Sequence, residues 1–89
     1  MSKKEKLLAK LCANPSPKNF SWDDLVALMR SFGFKNSCSG GSHYMFEHTS
    51  GFRFRMSKTH PSGILKSYQI HDAKNALKYI GVIHEQSFI

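Results

Sequence analysis

The spacing of the apolar residues changes at Phe34, and this change limits the folds open to the chain more than any other feature. Before it, Trp22, Leu25, Leu28, Met29 and Phe32 recur at helical period. After it, Tyr44, Phe46 and His48 alternate with His43, Met45 and Glu47, and Phe52, Phe54 and Met56 alternate with Arg53, Arg55 and Ser57. A period near 3.6 turns one stripe of a helix to a core, whereas a period of two sends neighbouring residues to opposite faces of a strand. A helix therefore precedes half-buried strands. Beyond the loop at 58–63 the helical period returns in Ile70, Ala73, Leu77 and Ile80, which predicts a last helix from about Ser67 to Ile80 ending at Gly81.

The element ends carry their own signals. Ser2 with Glu5 three residues on resembles a capping box, and Leu7, Leu8, Leu11 and Cys12 follow at helical spacing, so a short first helix is expected. Asn14-Pro15-Ser16-Pro17 must break it, because proline lacks an N–H and biases the residue before it away from helix. Ser21 is placed to accept from the N–H of Asp24 and open a second helix, with Asp23 and Asp24 at its positive end and Gly33 as its stop. Strand one is expected over about Phe34 to Ser39, and Thr49-Ser50-Gly51 is the turn between strands two and three. The tail from Val82 shows no period, and no internal repeat or low-complexity segment is present.

The order helix, helix, three antiparallel strands, helix is an α+β fold. With 89 residues the chain has material for one small core, so a single domain 1–89 is expected: an N-terminal helical extension and linker at 1–20, a core at 21–81 and a tail at 82–89. Without the first helix the order becomes α-β-β-β-α, the arrangement of the double-stranded-RNA-binding domain, with the helices on one face of a three-stranded sheet. The aromatic faces of the strands must meet the helices. His43, Arg53 and Arg55 are then carried into solvent on the other face.

Charge points to a class of partner. Thirteen Lys and Arg against six Asp and Glu give a formal charge of +7, a field that concentrates polyanions, with RNA first among them and an acidic protein or anionic membrane as alternatives. No run approaches the roughly 20 apolar residues of a spanning helix, and Met1-Ser2-Lys3-Lys4 has no apolar run or cleavage site after it, so a cytoplasmic protein is expected. Cys12 and Cys38 form no CxxC pair and no zinc spacing, and are expected to be buried free thiols. The five histidines include no HExxH pair and the acids are scattered, which argues against a metal site or any cofactor. Cys38 has no identifiable general base beside it, which argues against a thiol nucleophile.

The run GGSHYMFEH, preceded by LVALMRSFGFK and followed by THPSGILKSYQIHDAKNAL, resembles the HicA family of toxin–antitoxin systems, small basic ribonucleases that cleave messenger RNA. The resemblance spans about Trp22 to Ile80, and Met1 to Phe20 departs from it. It implies an mRNA-directed endoribonuclease toxin whose catalytic group is the histidine of the G-S-H triplet, here His43, and whose partner is a cognate HicB-like antitoxin.

Chemistry supplies a parallel case from the residues themselves. Cleaving RNA without a metal requires taking a proton from a ribose 2′-OH, stabilising the charged phosphorane and protonating the leaving 5′-oxygen. Histidine, with an unperturbed pKa of ~6.5, exchanges protons in either direction near neutrality. Gly40 and Gly41 permit close approach of a phosphate, Ser42 offers it a hydrogen bond, and Arg53 and Arg55 on the solvent face offer bidentate contacts. Each also has a plain alternative. The glycines serve equally as turn formers, the arginines keep a sheet face soluble, and His60 before Pro61 is either a loop residue or a group that reaches the site if the loop folds over the sheet. His48, His71 and His84 are expected to be structural or solvated. Lys66, Lys74 and Lys78 fit either a polar helix face or phosphate contacts. A non-catalytic RNA-binding module of the same fold is the competing reading.

Overall fold

The computed structural model describes residues 2–58 and 62–83. Three helices, α1 (Lys3–Leu11), α2 (Trp22–Ser31) and α3 (Ser67–Tyr79), cover one face of an antiparallel sheet of β1 (Phe34–Gly40), β2 (His43–His48) and β3 (Arg53–Ser57), in spatial order β1-β2-β3. This is the expected α-β-β-β-α order behind an added N-terminal helix. β1 runs one residue beyond expectation, and α3 ends at Tyr79 with Ile80 as its cap.

The helix starts follow from their caps. Ser2 Oγ accepts from the Glu5 N–H at 3.2 Å while Glu5 Oε1 accepts from the Ser2 N–H at 3.1 Å, closing the capping box. Ser21 Oγ accepts from the Asp24 N–H at 3.0 Å. Before α3 stands Lys66, whose ammonium accepts nothing; there the Gln69 side chain alone makes the reciprocal bond, taking the Lys66 N–H at 2.9 Å. Gly33 ends α2 with φ +94° in a place where a Cβ would stand 3.2 Å from the His48 ring.

One core joins the helices to the inner face of the sheet. Leu25, Leu28 and Met29 of α2 and Ile70, Ala73 and Leu77 of α3 are buried with Phe34, Phe46 and Met56. Trp22 lies against Tyr44 and Phe46, with ring centroids 5.2 and 5.6 Å away, and Phe46 stacks on Phe54 at 5.1 Å. α1 docks on this core: Leu11 is fully buried and Leu7 nearly so. A helix of nine residues is marginal alone in water, so this packing is what holds it. The outer face is left open, with Lys35, Glu47, Arg53 and Arg55 exposed.

The start of α2 and the approach to α3 are tied together. Trp22 N–H donates to Gly63 O at 2.7 Å and Leu65 N–H to Phe20 O at 2.8 Å, flanking a bridge between Ser21 and Ile64. The two cysteines depart from expectation. Both are free, but both are exposed. Cys12 caps the outer end of α1, and Cys38 lies near the end of edge strand β1, where the neighbouring inner-face residue Tyr44 is itself only half-buried.

Candidate functional site

His43 owes its position to the turn before it. Gly40 pairs with His43, leaving Gly41 and Ser42 as a two-residue hairpin loop. Gly41 has φ +56° and Ser42 does not share that sign, the pattern of a II′ hairpin with glycine first. Ser39 is an extra residue, since the register shifts between Cys38 and Gly40. Three bonds pin this bulged turn. Ser39 Oγ donates to His43 O at 3.2 Å, the Cys38 thiol donates to Gly41 O at 3.3 Å, and Lys58 N–H donates to Ser42 O at 2.7 Å. The backbone beneath His43 is thus held while its side chain stays exposed.

Across the sheet His43 faces Ser57, and its Nδ1 lies 3.3 Å from Ser57 Oγ. Ser57 is fastened from behind: Gln69, only 1% exposed, donates from Nε2 to Ser57 O at 2.7 Å. Both polar atoms of that buried amide are satisfied, which is what its burial requires. α3 is therefore docked at the end of β3 where His43 sits. A cavity of about 330 Å³ opens there, lined among others by Ser39, His43, Arg55, Ser57, Tyr68 and Asp72. That volume is at the low end for small-ligand pockets, about 300–1,000 Å³.

The register separates the two arginines that alternation alone had equated. Glu47 stands between Lys35 on one side and Arg53 on the other, so Arg53 has a carboxylate opposite it. Arg55 stands opposite Met45 and lines the cavity with His43. Arg53 lies about 7 Å further along the strand. The joint arginine clamp expected from sequence is not what the fold assembles at His43; Arg55 alone is brought there. Gly41 and Ser42 form the turn itself and do not line the cavity. His60 lies outside the described residues, as does His84.

Three groups at the site were missed in the sequence. Ser57, Tyr68 and Asp72 come from β3 and α3, with Tyr68 and Asp72 one helical turn apart on one side of α3. Their i, i+4 spacing, opposite the stripe of Ile70, Ala73 and Leu77, was the available signal, and it is the same signal any solvated helix face gives. His48 and His71 behave as expected. His48 is bonded through both ring nitrogens, to Phe32 O at 2.9 Å and to Ser50 at 2.9 and 3.1 Å, and His71 is exposed on α3.

Lys74 and Lys78 lie on the α1 side of α3, where both ammoniums act on the Cys12 thiol. Although the residue is exposed, partial desolvation of its sulfur beside α3 pushes that thiol up more than the two lysines pull it down, which makes it a poor nucleophile. Among the described residues, no three His, Cys, Asp or Glu side chains stand together as a metal site, and no helix is long and apolar enough to cross a membrane. No protein-family model, curated protein or solved structure matches the chain.

Proposed function

We propose that this chain is a metal-independent endoribonuclease that cleaves mRNA, acting in the cytoplasm as the HicA-like toxin of a toxin–antitoxin system and neutralised by a cognate HicB-like antitoxin. The observation that carries the proposal is an exposed histidine on a pinned turn, sharing a cavity with an arginine in a chain of charge +7. With Nδ1 turned to Ser57 Oγ, Nε2 of His43 is the nitrogen left to exchange a proton with a ribose 2′-OH or a leaving 5′-oxygen. Arg55 supplies charge-assisted hydrogen bonds to the phosphate, which strengthen as charge grows on the phosphorane. The open sheet face around His43 is the surface an antitoxin would cover.

The test is incubation of the purified chain with single-stranded and structured RNA in EDTA. Cleavage that His43→Ala abolishes is the expected result. A folded wild-type chain that binds RNA and leaves it intact would establish the non-catalytic RNA-binding module instead. Co-expression with a small acidic protein encoded next to this chain should relieve growth inhibition.

A further inference from the structure

Asp72 is out of place in a site for a polyanion. It lines the same cavity as His43 and Arg55, yet among the described residues it has no ion-pair or hydrogen-bond partner, and a carboxylate there repels the phosphate that Arg55 attracts. Its neighbour one turn earlier, Tyr68, is a 59% exposed aromatic residue at the same cavity. Burying neither of them stabilises the core, which α3 serves with its opposite face. Taken together, an exposed aromatic residue and an unpartnered carboxylate resemble a surface for stacking one base and accepting its N–H groups.

Resting on the nuclease reading above, we propose that Tyr68 and Asp72 form a base-binding subsite that makes the enzyme select an unpaired guanine next to the phosphate held at His43 and Arg55. The choice of guanine follows from donor geometry. Its Watson–Crick edge presents two adjacent donors, N1–H and N2–H, which match the two oxygens of a carboxylate as a bidentate pair. Adenine and cytosine offer one amino group beside an acceptor, and uracil offers one N–H between two carbonyls, so each sets a lone pair against the carboxylate. A paired guanine has this edge occupied. The subsite therefore selects single-stranded RNA as well as the base. The helix carries both side chains on a rigid element fastened to β3 through Gln69, so their distance from His43 is fixed by the fold.

The experiment uses the full-length wild-type chain and fluorescein-labelled oligouridylate with 2′-fluoro riboses, which lack the attacking hydroxyl and stay intact. Companion oligonucleotides carry one central G, A or C. Affinity by fluorescence anisotropy should be roughly tenfold or more tighter for the G-containing strand, as expected for hydrogen bonds to a charged group. Asp72→Ala should erase that preference and leave the U-only strand bound equally or more tightly, since a repulsion is removed. Tyr68→Ala should weaken all four strands by about 5- to 150-fold, the range for loss of one base stack. Equal affinity for the four strands, or a preference that survives Asp72→Ala, overturns the subsite. If Asp72 served only to orient His43, its removal would move the pH profile of RNA cleavage and leave the base preference intact, which also overturns it. Absence of salt-dependent binding to every strand removes the nuclease reading itself. Cleavage in EDTA without base preference removes the subsite alone.

Discussion

β2 begins with His43 and ends with His48, and the two imidazoles are placed in opposite chemical situations. At the His48 end the ring is half-buried and both nitrogens are engaged. The Ser50 N–H can only donate, so Nδ1 accepts and the ring proton sits on Nε2, bonded to Phe32 O at the end of α2. The ring also packs on Phe34, with centroids 4.9 Å apart. At the His43 end one nitrogen meets a serine hydroxyl at a long 3.3 Å, the ring is exposed, and the bonds go to the backbone beneath it. A histidine tied at both nitrogens is a structural strut with a fixed tautomer, whereas one tied at a single nitrogen keeps the other for proton exchange. The strand is the same; the partners decide the role.

The sharpest way to break this contrast is to remove each ring in turn. His43→Ala should cut RNA cleavage by about 10²–10⁴-fold while the thermal midpoint stays where it was, as measured by single-turnover cleavage and circular dichroism. Cleavage unchanged in a folded variant would move the chemistry away from this end of β2. Next in size is a substitution on the far side of the core. Leu11→Ala empties a fully buried position between α1 and the domain and should cost about 2–5 kcal/mol in urea denaturation, with cleavage per folded molecule retained. His48→Ala should cost about 1–3 kcal/mol by leaving the Phe32 carbonyl without its donor, and cleavage below the melting transition should persist. A loss of cleavage in folded His48→Ala would show that the two ends are coupled and the contrast too simple.

How much of this was legible in the sequence depends on how local each cause is. Capping at Ser2 and Ser21, the stop at Gly33 and the switch of period at Phe34 are settled by residues within a few positions of one another, and the fold follows their reading. Burial of Cys12 and Cys38 was misjudged because it depends on where the covering elements run out. Gln69 resembles any polar helix residue until its amide is seen to join the start of α3 to the end of β3. Tyr68 and Asp72 are unreadable for the same reason: their meaning comes from cavity residues on other elements, more than ten positions away.

The smallest expected effect tests the one distinction that only register supplied. Because Glu47 faces Arg53 and not Arg55, Arg55→Ala should lower the slope of log affinity against log salt for single-stranded RNA by up to about 0.7, and Arg53→Ala by less. Equal slopes for the two variants would mean that RNA follows the whole open face rather than the end marked by His43.

The bond from Gln69 to Ser57 also bears on the order in which a ribosome makes the chain. Synthesis runs at about 5–20 residues per second from the N-terminus, so the hairpin bearing His43 exists before α3 does. Until α3 has emerged and docked, Ser57 lacks its support, Tyr68 and Asp72 are absent, and the three strands have only α1 and α2 to cover them. An unfinished chain therefore carries the proposed catalytic histidine without the cavity that would give it a substrate. A nuclease of the proposed kind would then become competent only after its own coding sequence has been read.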